Sequence, residues 1–352
     1  MTDSYLHREI LEQPEVLQRL LEVERPGVER IAAVIRQAAP RYVMLAARGS
    51  SDNAARYGQY LFGAVNSLPT ALAAPSLFTL YQRPPCLEGA LVLAISQSGQ
   101  SPDIVAVVEE GRRQGALTVA ITNAPDSPLA EAAQHTISLQ AGPERSLAAT
   151  KTYTASLMAL ALLSTALAGA AGPGSGVLIQ SLQAVPGFVA EVLTSAPSIL
   201  QAAERYRYMD ACVVASRGYN YATAFEITLK LKELAYVLAE PYSLADFRHG
   251  PMAVVERDFP VVTLVPEGVV APGMLEFLRQ LRERQAEIMV ISALDEALAM
   301  AQTPIPLPRG LPEWLSPLVA VIPGQLFALG LTLAKGLDPD HPRGLRKVTL
   351  TR

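Results

Sequence analysis

The sequence predicts an α/β protein. It reads as two tandem copies of one doubly wound, mostly parallel sheet flanked by helices, an α/β/α sandwich each, followed by a C-terminal tail. Three observations predict it. Short apolar runs alternate with helix-length segments, the pattern of parallel βαβ units. Arg48-Gly49 after the run 42–47 is matched by Arg217-Gly218 after the run 211–216. An apolar, helix-length stretch closes each half, at 155–171 and again at 318–334, so one unit has been used twice.

In chain order, residues 5–23 carry apolar positions at helical spacing, with Ile10, Leu17 and Leu20 among them. Arg25-Pro26-Gly27 is expected to break that helix before a second one over 28–38. Runs 42–47, 69–73, 91–95, 116–122 and 135–139 read as strands. Helices are expected over 54–62, 76–81 and 104–110. Gly172-Pro173-Gly174-Ser175-Gly176 is the best linker in the chain. A helical stretch over 177–205 leads to the second copy, whose strands include 211–216, 259–265 and 287–291. The organisation expected is a helical segment at 1–28, a first domain at 29–172, a bridge at 173–205, a second domain at 206–335 and a tail at 336–352.

Composition narrows the function classes. Half of the 352 residues are hydrophobic and 18% are charged, enough apolar material for a large core without disulfides. A net charge of −4 and no basic stripe argue against a nucleic-acid partner. The two cysteines, Cys86 and Cys212, have no metal-ligand spacing, and no metal is expected. The first residues show no basic-then-apolar leader, which predicts a cytoplasmic protein. The two apolar stretches approach spanning length. They carry Ser156, Ser164, Thr165 and Pro323-Gly324-Gln325 and lack basic flanks, so buried helices rather than membrane spans are expected.

Four stretches carry chemistry. At Ser96-Gln97-Ser98-Gly99-Gln100-Ser101 an apolar strand ends in hydroxyls, an amide and a glycine before a helix. That arrangement aims backbone N–H groups and a helix N-terminus at one spot and suits a phosphate held by neutral donors. An ordinary Ser-rich helix cap is the other reading. In the segment 226–234, Lys230 lies three residues from Glu233 and four from Glu226. This is either a solvent-facing row of ion pairs or a carboxylate base beside an ammonium, suited to proton transfer between adjacent carbons. His249, one of four histidines, precedes Gly250-Pro251 in an expected loop and is either idle or an acid–base group. Lys347 near the C-terminus is either solvated or able to fold back over a site.

Together these motifs resemble the sugar isomerase (SIS) family, most closely the isomerase half of glucosamine-6-phosphate synthase and its stand-alone relatives. The carriers are Arg48-Gly49-Ser50-Ser51, Ser96-Gln97-Ser98-Gly99, Ala149-Thr150-Lys151, Leu229-Lys230-Leu231-Lys232-Glu233, Arg248-His249-Gly250-Pro251 and Asp340-His341-Pro342-Arg343, in that order. The resemblance implies that Ser96, Gln97, Ser98 and Ser101 hold a sugar phosphate, with Ser51 contributing. It implies sugar contacts at Gly49 and Ser50 and through the backbone of Leu147 and Ala148. Glu233 would shuttle a proton between C1 and C2, and Lys230 would contact sugar oxygens. His249 would open the ring, coming from a neighbouring subunit of a homodimer with a shared active site, and Lys347 would lie against C2. No metal and no organic cofactor is implied.

The chain departs from that synthase in beginning at the isomerase portion, in Ser101 for threonine, and in Ala149 for serine. The expected activity is therefore glutamine-independent: glucosamine 6-phosphate and water to fructose 6-phosphate and ammonia. A fructosamine-6-phosphate deglycase, a galactosamine- or tagatose-phosphate deaminase-isomerase and a non-enzymatic sugar-phosphate sensor are the alternatives. The sensor is disfavoured by the joint presence of Glu233, His249 and Lys347 and by the lack of a basic DNA-binding segment.

Overall fold

The computed structural model describes residues 4–169, 175–344 and 347. The chain opens with α1 (Tyr5–Leu11) and α2 (Gln13–Ala38). Ser4 caps α1, its hydroxyl accepting from His7 N at 3.2 Å. Contrary to expectation, α2 runs straight through Pro26. Its buried stripe explains why: Val16, Leu17, Leu20, Val28, Ala32 and Ile35 keep one face across the proline. A proline inside a helix costs about 3 kcal/mol, and several buried side chains at about 1.5–3 kcal/mol each exceed it. The break falls instead at Glu12, between the two helices.

The first repeat contains β1 (Tyr42–Ala46), α3 (Ser50–Asn66), β2 (Thr70–Leu72), α4 (Ser76–Thr79), β3 (Ala90–Ile95), α5 (Pro102–Arg113), β4 (Leu117–Thr122), α6 (Pro128–Ala132) and β5 (His135–Ser138). Then come α7 (Lys151–Ala168), α8 (Ser175–Leu193) and α9 (Ala196–Ala203). The second repeat contains β6 (Ala211–Ser216), α10 (Tyr221–Ala235), β7 (Leu238–Ser243), α11 (Leu244–Arg248), β8 (Pro260–Val265), α12 (Ala271–Glu283), β9 (Glu287–Ser292), α13 (Asp295–Leu298), β10 (Thr303–Pro306) and α14 (Ser316–Ala334).

Two five-stranded sheets result, ordered β2-β1-β3-β4-β5 and β10-β9-β8-β6-β7, with all pairings parallel. Read from the other edge, the second order is that of the first. The repeat is therefore real at the level of topology, as the paired Arg-Gly motifs predict. The edge strands β7 and β10 were not among the expected strands. Their prolines, Pro241, Pro304 and Pro306, mask the strand pattern and are tolerated because edge positions leave ladder bonds unmade.

The contacts divide the chain into two compact units. The amino-terminal unit comprises 15–144, 151–184 and 346–352; the carboxyl-terminal unit comprises 1–14, 145–150 and 185–345. In the amino-terminal unit Val92, Ala94, Ile104, Val107, Val108 and Leu129 pack between the sheet and α5 and α6. In the carboxyl-terminal unit Phe247, Met274, Phe277 and Leu281 cover β6, β8 and β9 through Val213, Val261 and Ile288.

The apolar stretches are core helices. α7 is buried from Lys151 to Thr165 and α14 from Ser316 to Thr332. Among the described residues, 176–193 and 313–334 meet the length and hydropathy of a membrane span.

Candidate active site

In the amino-terminal unit, β1 and β3 lie side by side while the chain leaves them in opposite directions along the sheet. This is a topological switch point, where open parallel sheets take ligands beyond the strand ends. The loop after β1 holds Gly49, Ser50 and Ser51; the loop after β3 holds Ser96 to Ser101. Gly49 takes φ +56° as N-cap of α3, so Ser50 and Ser51 stand in the first helical turn. The helix was expected only from residue 54; the left-handed glycine lets it start four residues earlier.

The second loop is stitched to its surroundings. Ser96 Oγ accepts from Gly99 N at 3.2 Å, and Ser98 Oγ accepts from Gln100 N at 3.3 Å. Gln97 O accepts from Asn123 N at 3.2 Å and Gly99 O from Leu129 N at 3.2 Å. Gly99 has φ +63°, and a Cβ there would fall 1.9 Å from Ser127 Oγ. Only glycine fits.

This revises the expectation of free N–H groups at the loop. Those of residues 99 and 100 are taken by the serine hydroxyls. A hydroxyl that accepts from the backbone still has its own O–H to donate, so Ser96 and Ser98 present donors. Ser101 is the N-cap of α5 and its side chain makes no cap bond, which leaves that hydroxyl out of the helix start. Arg48, from the loop after β1, is committed: its Nε and Nη2 each lie 2.8 Å from Oδ2 of buried Asp103 in the first turn of α5. That ion pair ties the two loops together.

In the carboxyl-terminal unit, α10 carries the charged set. Lys230 Nζ lies 2.6 Å from Glu233 Oε2 and 3.4 Å from Glu226 Oε1. The solvent-facing reading of these residues is wrong. The Lys230 and Glu226 side chains are 1% and 0% exposed, while Glu233 keeps 20%. α10 packs on α14 and against β6 and β7, so it is covered on faces that a surface helix leaves open. Buried charge costs several kcal/mol per ion unless paired, and such sets concentrate at functional sites. Glu233 alone of the three reaches solvent.

His249 lies elsewhere in this unit, exposed on the turn after α11, its N–H donating to Asp246 O at 3.1 Å. Half-buried Leu147 and buried Ala148 belong to the segment 145–150. Buried Glu9 holds the start of that segment, accepting from Arg145 N and from Ser146 N. Lys347 groups with the amino-terminal unit, its Nζ 3.1 Å from Oε2 of buried Glu144. Sequence reasoning gave no task to Glu9, Glu144, Asp103 or Asp340. Asp340 caps α1, accepting from Tyr5 N at 2.8 Å and Leu6 N at 3.1 Å. Arg343 of the same tail motif stacks 4.1 Å from the Tyr236 ring and donates its N–H to Tyr236 Oη. Among the described residues no cluster of His, Cys, Asp and Glu suits a metal ion.

The second repeat has the same switch point at β6 and β8, but the place is filled. Glu313, from the 3-10 turn Glu313–Leu315, accepts from Val269 N at 2.7 Å. A Cβ on Gly268, which has φ +132°, would meet Glu313 Oε2 at 2.0 Å. Burial and the nearby Glu313 charge together raise the Tyr219 hydroxyl above its ordinary range.

These features define a tandem α/β protein with a donor-rich switch point in its first repeat and a buried carboxylate–ammonium set in its second. The SIS domain model matches residues 37–166 and 210–334, and the chain belongs to the SIS domain family. It is 33% identical over 352 residues to a glutamine–fructose-6-phosphate aminotransferase of Thermus thermophilus, covering 97% of this chain and 58% of that protein. The chain thus spans somewhat over half the length of such curated relatives. A solved structure described as a phosphosugar isomerase from Silicibacter pomeroyi is 34% identical with a TM-score of 0.85, covering 96% of this chain and 100% of the other. A glucosamine-6-phosphate deaminase from Thermotoga maritima shares the fold, at 20% identity and a TM-score of 0.80, over 99% of this chain and 100% of that one.

Proposed function

We propose that the protein is an amino-sugar-phosphate deaminase-isomerase converting glucosamine 6-phosphate and water to fructose 6-phosphate and ammonia. The observation that carries the reading is the Lys230–Glu233 pair. A partly exposed carboxylate held 2.6 Å from a buried ammonium is a fixed base with a defined orientation. Glu233 takes the proton from C2 of the open-chain sugar and returns it to C1, leaving an imine at C2. Water adds to that imine and ammonia leaves. Ser96, Gln97, Ser98, Ser101 and Ser51 take the phosphate, which supplies orientation away from the reacting carbons. Gly49, Ser50 and the backbone of Leu147 and Ala148 line the sugar. His249 assists ring opening from the partner of a homodimer, and Lys347 lies against C2. The names of the relatives, an aminotransferase acting on fructose 6-phosphate and a phosphosugar isomerase, support a sugar-phosphate substrate.

The test is release of ammonia and ketose phosphate from a panel of glucosamine, galactosamine and fructosamine 6-phosphates. Glucosamine 6-phosphate is expected to turn over fastest. Glu233→Gln is expected to lower kcat by about 10²–10⁴-fold, the range for a positioned acid–base group. Normal turnover by Glu233→Gln, or faster release from another panel member, sinks the assignment. Mixing Glu233→Gln with His249→Ala subunits tests the shared site: recovery of activity in mixed dimers is expected, and none would place both residues in one chain's site.

A further inference from the structure

Glu144 is a carboxylate with no exposed side-chain surface, and the roles assigned so far leave its burial unexplained. Its Oε1 accepts from Thr152 N at 3.1 Å and its Oε2 from Thr152 Oγ1 at 2.7 Å. Thr152 is in the first turn of α7, an 18-residue helix. The carboxylate is therefore fixed at a helix start, where the backbone favours negative charge. The same Oε2 lies 3.1 Å from Lys347 Nζ, and the lysine side chain keeps 28% exposure. A partly exposed lysine ordinarily keeps its ammonium in water, because ordering its long stem costs side-chain entropy. Here a charge-assisted bond to a rigid, buried acceptor opposes that cost.

We propose that Glu144 is the positioning residue for Lys347. It anchors the tail lysine at one point of the amino-terminal unit and aims its ammonium toward C2 of the open-chain sugar. The proposal rests on the reading of Lys347 given above. It adds that the lysine acts only while a buried carboxylate behind it fixes where its charge lies. Glu144 itself touches no reacting atom.

Glu144→Gln, in the full chain, tests this in two measurements. The first is acylation of lysines by limiting acetic anhydride, read peptide by peptide by mass spectrometry. Lys347 is expected to label several-fold faster in Glu144→Gln than in the parent, while Lys232 is unchanged. The second is steady-state kinetics. kcat is expected to fall about 10- to 100-fold with little change in KM, as for a displaced catalytic group. In a Lys347→Met background the Glu144→Gln change is expected to add nothing further, because it acts through a lysine already gone. Unchanged Lys347 labelling overturns the anchor. Additive losses overturn action through Lys347. A parent protein that releases no product from any sugar phosphate overturns the functional reading instead, and the labelling still decides the anchor. Should Glu144→Gln not fold, Glu144→Asp serves. Its shorter arm cannot hold Thr152 and Lys347 together, so faster Lys347 labelling is expected and labelling at the parent rate overturns the proposal.

Discussion

Lys230 Nζ sits 2.6 Å from Glu233 Oε2 with its side chain 1% exposed, and Glu226 faces the same ammonium from one turn earlier. The lysine is thus the counter-charge for two carboxylates on one helix. Lys230→Met keeps the stem and removes the charge, leaving Glu226 buried without it. A stability loss of about 3–5 kcal/mol is expected, the usual cost of breaking a buried pair, together with loss of turnover. Urea unfolding followed by circular dichroism checks it. A Lys230→Met protein as stable as the parent would show that the ammonium does not hold the pair.

Gly99 is expected to tolerate no side chain. Its φ of +63° and the 1.9 Å separation between an added Cβ and Ser127 Oγ make Gly99→Ala strained twice over. The loop has to shift, with a cost of about 1–3 kcal/mol and a loss of sugar-phosphate affinity measurable by calorimetry. Adding Ser127→Gly relieves the clash but not the backbone strain, so partial recovery is expected. Parent-like affinity in Gly99→Ala would remove the loop from the phosphate site.

Asp340 is expected to matter for folding rather than catalysis. Its two carboxylate oxygens accept from Tyr5 N and Leu6 N at the start of α1. Asp340→Ala removes a cap and should cost about 0.5–2 kcal/mol with kcat unchanged. A denaturant midpoint equal to the parent's would show that α1 starts without it.

The two thiols are expected to separate in reactivity. Cys86 is exposed and Cys212 buried. Burial pushes the Cys212 thiol up to about 12. The native protein at pH 8 should therefore show fast reaction with a thiol reagent at Cys86 only, and at both after denaturation. The folded value lies above the unfolded one, about 8.5. Stability from this group is then fully present below the unfolded value and is lost as pH rises toward the folded one, by about 1.4 kcal/mol per unit in between. Equal native reactivity of both thiols would contradict the burial.

The repeat, the inner strands and the donor-rich loop after β3 were legible because each is local: an apolar run, a glycine, hydroxyls in sequence. The edge strands β7 and β10 were not, since their prolines erase the alternation that marks a strand. Pro26 misled because a local rule was overridden by burial along α2. The same limit applies to Lys230 and Glu226. Spacing shows that they meet, but only the packing of α14 on α10 shows that they meet out of water. Glu9, Glu144 and Asp340 act on residues 136, 203 and 335 positions away respectively, and no window along the chain contains both partners.

Glu313 in the second repeat gives the duplicated fold an unequal capacity. Its carboxylate is tethered beside Val269 N, and a tethered group competes at an effective concentration that dissolved anions rarely reach. Two like-folded halves should therefore bind one phosphate between them. Titration with a sugar phosphate is expected to saturate at one equivalent per chain, and Glu313→Ala to admit a second, weaker one. The ligand count of this chain is then expected to follow from which repeat supplies its own acid.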